Sequence, residues 1–488
     1  MRVRREKLDR LRADGVDVYP VSVPRTHSLR EIRTSYPDLE PNAHTGDLVG
    51  ITGRVIFARN TGKLCFATLR EGGVELQVML SQDRVGADAL AAWKRDVDLG
   101  DLVLVTGEVG TSRRGELSVF ADQWDFTAKA LRPLPVAHRP MSEELRVRRR
   151  YVDLIVREQA RKMARDRATV LRSLRATLDA SGFLEIETPM LQTVPGGATA
   201  RPFVTHSNAL DLDLYLRIAP ELYLKRAIVG DLERVYELNR NFRNEGVDAT
   251  HSPEFAMLEF YQSYADYRDV AALTTRLIQA CAHALYGKLI ITRVGGETLD
   301  LSGDWPWRDF YELVSEAVGE TVDSETSRQR MVELAVRHEI EIDTKWGIGR
   351  IAEELFDELV ADSLIGPLFV ADFPVETSPL TRAHRTKAGV AEKWDLYIGG
   401  VERGTGYSEL TDPVEQRARF TAQVALGAAG DEEAMVLDED FLESLEYAMP
   451  PTGGVGLGID RLITVLTEAT TLRDTILFPL VRPLSSPS

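Results

Sequence analysis

From residue 48 onward, apolar and polar positions alternate in five short runs: "LVGITGRVIFARN", "KLCFATLREGG", "VELQVML", "DLVLVTGEVG" and "GELSVFADQWDF". Period-two alternation broken by Gly, Asp and Asn turns predicts five strands. With a helix at "ADALAAWKRDV", they suit a small Greek-key β-barrel of the OB type, although another small barrel fits the periodicity nearly as well. Ahead of them "REKLDRLRADG" (residues 5–15) reads as a charged helix stopped at Gly15. Behind them the proline- and arginine-rich "ALRPLPVAHRPMSEELRVRRRYVDL" reads as a linker, so a first domain is expected over 1–140 and a second over 141–488.

In the second part the pattern lengthens to a helical period over residues 157–181, closed by Ser181-Gly182. Strand-like runs follow at "DLYLRIA", "RVYELNRNF", "EFAMLEFYQ", "KWDLYIGGVE" and "GVGLGID". They lack the alternating βαβα rhythm of a parallel sheet, which predicts an α+β domain around an antiparallel sheet, with a helical insertion near 307–365.

Composition narrows the class. With 44% hydrophobic and 28% charged residues in 488, the chain is globular, and it is long enough for a large core and a smaller module. No run approaches a membrane span, and the N-terminus has no apolar segment behind its charges, so a cytoplasmic, unanchored protein is expected. Cys65 and Cys281 are isolated, which argues against a disulfide framework. The net charge of −17 is unevenly placed: residues 1–150 carry 25 Lys and Arg against 21 Asp and Glu, while the remainder is strongly acidic. A polyanion partner for the first part is therefore compatible with an acidic whole.

Parity along "FRNEGVDATHSPEFAMLEFYQ" (242–262) locates chemistry. Phe255, Met257, Glu259 and Tyr261 share one face of a strand, while Ala256, Leu258 and Phe260 share the other. Arg243 and Glu245 also share parity, and His251 rides the intervening loop. Acids interleaved with rings on one face read as a lined pocket. In "GTGYSELTD", Thr405, Tyr407 and Glu409 repeat the device, and Asp395 and Glu402 flank the Gly399-Gly400 turn, where they could share a divalent cation. "GGVGLGIDRLITVLTE" is a glycine-rich strand running into a helix with Arg461 near its start, and it lacks the Gly-Lys-Ser/Thr ending of a Walker loop.

These segments carry a resemblance. "GFLEIETPML" (182–191), "FRNEG…HSPEF" and "GLGIDR" (456–461) resemble the three signature motifs of class II aminoacyl-tRNA synthetases. The fuller pattern, "RYVDLI", "PGGATARPFVTH", "LYLRIAPELYLKRAIVGDLERVYELNRNFRNEG", "YSELTDP" and "ALRPLPV", is similar to lysyl-tRNA synthetase from the N-terminal helix almost to the C-terminus.

That resemblance implies ATP, L-lysine and lysine tRNA as substrates, Mg²⁺ bound with ATP, and a homodimer. By motif, Arg243 and Arg461 would be catalytic and, with Glu245, His251 and Phe255, would bind ATP. Gly197, Glu221, Glu259, Tyr261, Thr405, Tyr407 and Glu409 would surround lysine, and Asp395 and Glu402 would hold magnesium. In the barrel, Arg59, Phe66, Gln77 and Glu116 would meet the tRNA anticodon. Two positions depart from the common bacterial pattern: Thr405 stands where Asn is usual, and Asp395 where Glu is usual. Both resemble the synthetase domain of the actinobacterial two-domain lysyl-phosphatidylglycerol proteins (LysX-type). A free-standing relative of those, a second lysine-activating enzyme, or a silent tRNA-binding paralogue are the alternatives.

Overall fold

Alternate burial closes the first five strands on themselves. In the computed structural model, β1 (His44–Thr61), β2 (Leu64–Glu71), β3 (Val74–Ser81), β4 (Leu102–Thr111) and β5 (Leu117–Ala128) form a closed barrel in the order β1-β2-β3-β5-β4. Cys65, Ala67 and Leu69 of β2 point inward with Leu76, Val78 and Leu80 of β3, so the barrel is filled by side chains. Helix Ala87–Asp96 contributes Leu90 and Trp93 to the same core. The N-terminal helix runs from Arg2 to Ala13, ahead of Gly15, whose positive φ turns the chain.

The structure describes residues 1–135, 141–246, 251–293, 296, 298–430, 434–467 and 469–483, in two compact units, 1–161 and 162–488. Part of the expected linker (136–140) and the loop segment 247–250 lie outside the described residues.

The second unit is built on an eight-stranded sheet. Its strands are β6 (Leu184–Glu185), β10 (Arg234–Phe242), β11 (Glu254–Ser263), β14 (Trp307–Asp309), β15 (Leu368–Ala371), β16 (Lys393–Tyr397), β17 (Glu402–Ser408) and β18 (Thr452–Gly458). Their order is β14-β15-β16-β17-β18-β11-β10-β6. The centre is antiparallel as expected, while the short outer strands β6 and β14 pair in parallel with their neighbours. "DLYLRIA" does not join this sheet. Its strand β9 (Leu212–Leu216) pairs with β7 (Leu191–Gln192) and β8 (Phe203–Ser207) in a separate three-stranded sheet, and β12 (Ile290–Thr292) pairs only with β13 (Thr298–Asp300).

One face of the large sheet is core. Ala256, Leu258 and Phe260 of β11, Val455 and Leu457 of β18 and Trp394 and Leu396 of β16 pack with Val170, Leu174 and Leu178 of helix Glu158–Ala180 and with helix Tyr267–Tyr286. Between β14 and β15 the chain forms helices Phe310–Val318, Arg328–Arg337 and Ile348–Leu359, with their own apolar cluster around Phe310 and Phe356.

Candidate active site

Antiparallel register sorts the polar face into rows, because residues directly opposite in neighbouring strands share a face. One row reads Glu237, Glu259, Gly456, Thr405, Asp395 across β10, β11, β18, β17 and β16. The next reads Val235, Tyr261, Gly454, Tyr407, Lys393. In the other direction come Met257 opposite Gly458 and then Phe255 opposite Asn241. Glycine at every second position of β18 leaves the centre of this face without side chains. A Cβ on Gly454 would strike Glu409 Oε1 and the Tyr261 ring, and one on Gly456 would come within 3.1 Å of Met257 Cε. The result is a cavity of about 390 Å³ lined by the β11, β16 and β17 members of these rows, with Gly456 and Gly458 at its floor.

Arginines mark one end. Arg243 follows β10, and its N–H bonds to Pro253 O at 2.9 Å, which extends the hairpin. Its guanidinium lies 5.1 Å from the centre of the Phe255 ring, and its buried Nε has no hydrogen-bond acceptor. Arg461 lies in the first turn of helix Ile459–Leu466, with Nη2 3.5 Å from His251 Nε2 and Nη1 3.8 Å from Glu402 Oε2. The neighbouring Asp460 is buried. It accepts from the Ala256 N–H at 2.7 Å and from Arg167 Nη1 at 2.5 Å, which pins the helix to β11 and aims Arg461 at the cavity. Glu245 is exposed at the rim.

Carboxylates mark the other end. Glu259 is buried, and among the described residues no cation pairs with it; Tyr261 donates to it at 3.4 Å. Burial, reinforced by Glu221, pushes the Glu259 carboxyl well above its usual range although Arg243 pulls the other way. Glu221 begins helix Glu221–Val229, and Gly197 sits against it: a Cβ there would lie 3.0 Å from Glu221 Cβ. Glu409 is withdrawn from the open cavity. It is 2% exposed, and its Oε2 lies 2.5 Å from Lys225 Nζ. Burial also lifts the Tyr261 and Tyr407 hydroxyls above their usual range, so both stay neutral.

On the third side, Asp395 and Glu402 line the same cavity. They are not directly opposed: Glu402 faces Tyr397 across an irregularity in the ladder, and Asp395 faces Thr405. Burial raises Asp395 to about 7 against the pull of Lys393, whose Nζ is 3.2 Å away. Its Oδ1 is buried with no donor. A buried carboxylate oxygen without a donor, beside a second carboxylate, fits a hard divalent cation. Among the described residues no group of three or more His, Cys, Asp or Glu gathers into a metal cluster.

The barrel unit has its own exposed face. Arg59, Phe66, Met79 and Phe120 fall in one row across β1, β2, β3 and β5, and Gln77 lies in the next, donating to Ser118 Oγ at 2.9 Å. Phe66 therefore points out of the barrel, away from its core. Glu116 is exposed, 3.1 Å from Arg33 Nη2. The same face carries two rings that pattern reading did not pick, Phe57, 54% exposed, and Phe120, stacked on His44 at 4.8 Å.

Residues 142–482 match the family model of class II tRNA synthetases (D, K and N), and residues 49–126 match the OB-fold nucleic acid binding domain. A lysine–tRNA ligase from Mycolicibacterium gilvum is 59% identical over 99% of this chain and 96% of its own length. One from Kineococcus radiotolerans is likewise 59% identical, over 99% and 97%. The chain belongs to the class II lysine–tRNA ligase family. A lysylphosphatidylglycerol biosynthesis bifunctional protein from Rhodococcus opacus is also similar, 48% identical over 99% of this chain but only 43% of that relative.

Of the catalytic-unit residues expected from the sequence, Arg243, Glu245, His251, Phe255, Arg461, Gly197, Glu221, Glu259, Tyr261, Thr405, Tyr407, Asp395 and Glu402 line one cavity, and Glu409 lies behind it. Lys225, Lys393 and Asp460 are functional-site neighbours that the sequence pattern does not single out. The signal for Lys393 was present, since it shares parity with Asp395 and Tyr397 on a strand already read as functional.

Proposed function

We propose that the chain activates L-lysine with ATP to lysyl-adenylate and pyrophosphate and then transfers the lysyl group to the 3′ end of lysine tRNA. The observation that carries the reading is the polarity of the sheet face: arginines and Phe255 at one end, the unpaired Glu259 at the other. Phe255 and Tyr261 are six residues apart, roughly 20 Å along a strand, which is room for a nucleotide and an amino acid end to end.

Lysine's carboxylate is ionised at neutral pH, so no general base is needed for its oxygen to attack the α-phosphorus. The new P–O bond forms as the bond to pyrophosphate breaks, and the pyrophosphate leaves with its electron pair. What the reaction needs is alignment and neutralisation of charge on phosphate oxygens. Arg243, whose buried Nε has no acceptor among the described residues, would hold the α-phosphate and the lysine carboxylate, and Phe255 would stack on adenine beneath Arg461. Glu245 and His251 would position the nucleotide. Asp395 and Glu402 would hold magnesium, which supplies Lewis-acid neutralisation of the phosphates when bound. Glu221, beside Gly197, would take the α-ammonium, and Glu259 with Tyr261 and Glu409 the ε-ammonium, while Tyr407 packs on the stem and Thr405 lies between the two substrates. An analogue without the distal amine would leave a buried carboxylate unmatched, which can be worth roughly 10⁴–10⁵ in discrimination.

The outward rings and polar edges of the barrel support anticodon binding by stacking on Phe66, with Arg59, Gln77 and Glu116 beside it. Leu184, Met190, Leu191 and Val204 lie exposed around the first motif, which favours a homodimer through that surface. No helix of the described residues is long and apolar enough to cross a membrane, in keeping with a cytoplasmic enzyme. Lysine-dependent ATP–pyrophosphate exchange followed by charging of purified lysine tRNA tests the reading. Both activities are expected; exchange without charging points to another lysyl acceptor, and neither would sink it.

A further inference from the structure

Lys225 is the one element of the acidic end that the reaction above leaves unused. It lies one helical turn after Glu221 and has no exposed surface. Its ammonium donates to Glu221 Oε1 at 2.8 Å and Leu380 O at 3.4 Å, and it lies 2.5 Å from Glu409 Oε2. An ammonium has three N–H donors and no acceptor, and three protein acceptors already surround this one. It has none to offer a substrate. Glu409 meets Lys225 as an ion pair through Oε2; neither of its oxygens makes a hydrogen bond among the described residues, and Oε1 is buried over Gly454 beside the Tyr261 ring.

We propose that Lys225 is a positioning residue for amino-acid specificity: it fixes one oxygen of Glu221 and one of Glu409, and so presents the other oxygen of each to the two ammonium groups of the substrate. The charge balance fits. Burial pushes the carboxyls of Glu259, Glu221 and Glu409 upward; once ionised they set three negative charges against one on Lys225, an excess of two that matches the two ammonium groups of free lysine. Of the other ionisable groups around this cluster, Tyr261 and Tyr407 are neutral, while Arg243 and the Arg217–Glu237 pair act on Glu259 and Lys393 acts on Tyr407. Burial works against the charge on Lys225, but Glu221 and Glu409 more than offset it and hold the ammonium protonated. Without Lys225, Glu221 and Glu409 would meet as like charges and repel rather than converge.

The inference rests on the lysine-activating reading, so its test starts from wild-type exchange kinetics. Lys225→Met, Glu409→Gln and the double variant are compared after circular dichroism has established that each folds. Each single change unbalances the cluster by one charge. Each is expected to raise KM for lysine by about tenfold or more while KM for ATP and kcat stay within about twofold. Because both changes break the same pair, the double variant is expected to raise the lysine KM by no more than about the larger single loss, a strongly non-additive cycle. If Lys225→Met alone does not fold, Glu409→Gln against the double variant carries the same comparison, with little further loss expected. Losses that multiply in the double variant, or a Lys225→Met that weakens lysine and ATP alike, would overturn the proposal and leave lysine activation intact. A wild-type protein with no lysine-dependent exchange would overturn the functional reading and this one with it.

Discussion

Glu259 is a residue whose place in the fold costs stability. It is buried, flanked by Glu221, and pushed well above the usual carboxylate range by desolvation. A group raised in this way favours the folded state fully below its unfolded value near pH 4.5 and loses that contribution as pH rises through its folded value. Glu259→Gln should therefore stabilise the ligand-free protein at pH 8, by about 1–4 kcal/mol, and make little difference near pH 4. The same variant should lose lysine-dependent pyrophosphate exchange. Thermal melts at the two pH values, read beside the exchange assay, check both halves; a variant that is no more stable at pH 8 would contradict the account. Glu259 was legible in the sequence because strand parity put it among Phe255, Met257 and Tyr261. Lys225 was not. At i+4 from Glu221 it looks like an ordinary surface helix pair, and only packing against Glu409, far away in the chain, buries it.

Among the elements, β18 and the segment leading into β16 have the sharpest consequences. Gly454→Ala would drive a methyl into Glu409 and the Tyr261 ring, overpacking that costs about 1–3 kcal/mol; chemical denaturation should show it, together with a raised KM for lysine. Glu392, just before β16, is 1% exposed and accepts from Ser408 Oγ at 2.6 Å and Arg385 Nη2 at 2.8 Å. Burial would raise its carboxyl, but the bonds from Arg385 and Ser408 pull it down to about 2. Its contribution is present above pH 4.5 and lost as pH falls toward 2. Glu392→Gln should destabilise by about 2 kcal/mol at pH 7, allowing for the exposed Arg385, and the gap should close in acid. Melting curves that stay parallel to wild type from pH 7 to 2.5 would remove this role.

Element reading from sequence worked where strands were long and alternating, as in β10 and β11. It missed the parallel outer pairings because β6 and β14 are two or three residues long, too short for any period. Phe57 escaped for a different reason. An irregularity in the β1–β2 register between Val55 and Phe57 turns an expected inward position outward.

At the scale of the whole molecule, two units carry separable tasks. Phe66→Ala changes an outward ring of the barrel and touches neither its core nor the catalytic cavity. It should weaken tRNA charging by about 1–3 kcal/mol in kcat/KM, the worth of one base–aromatic stack, and leave lysine-dependent exchange unchanged. Equal losses in both assays would mean the ring is structural.

The glycine row of β18 also bears on how the catalytic unit holds together. A strand interior with glycine at alternate positions gives up side-chain contacts that neighbouring strands on both flanks would otherwise make. The sheet is in that sense unfinished: its central strand has a hollow where a core would have atoms, and bound substrates would fill it. Lysine and ATP should then behave as late-added core. At concentrations a hundred times their dissociation constants each adds about 2.7 kcal/mol. The melting of the catalytic unit should rise with both together, while that of the barrel stays where it was.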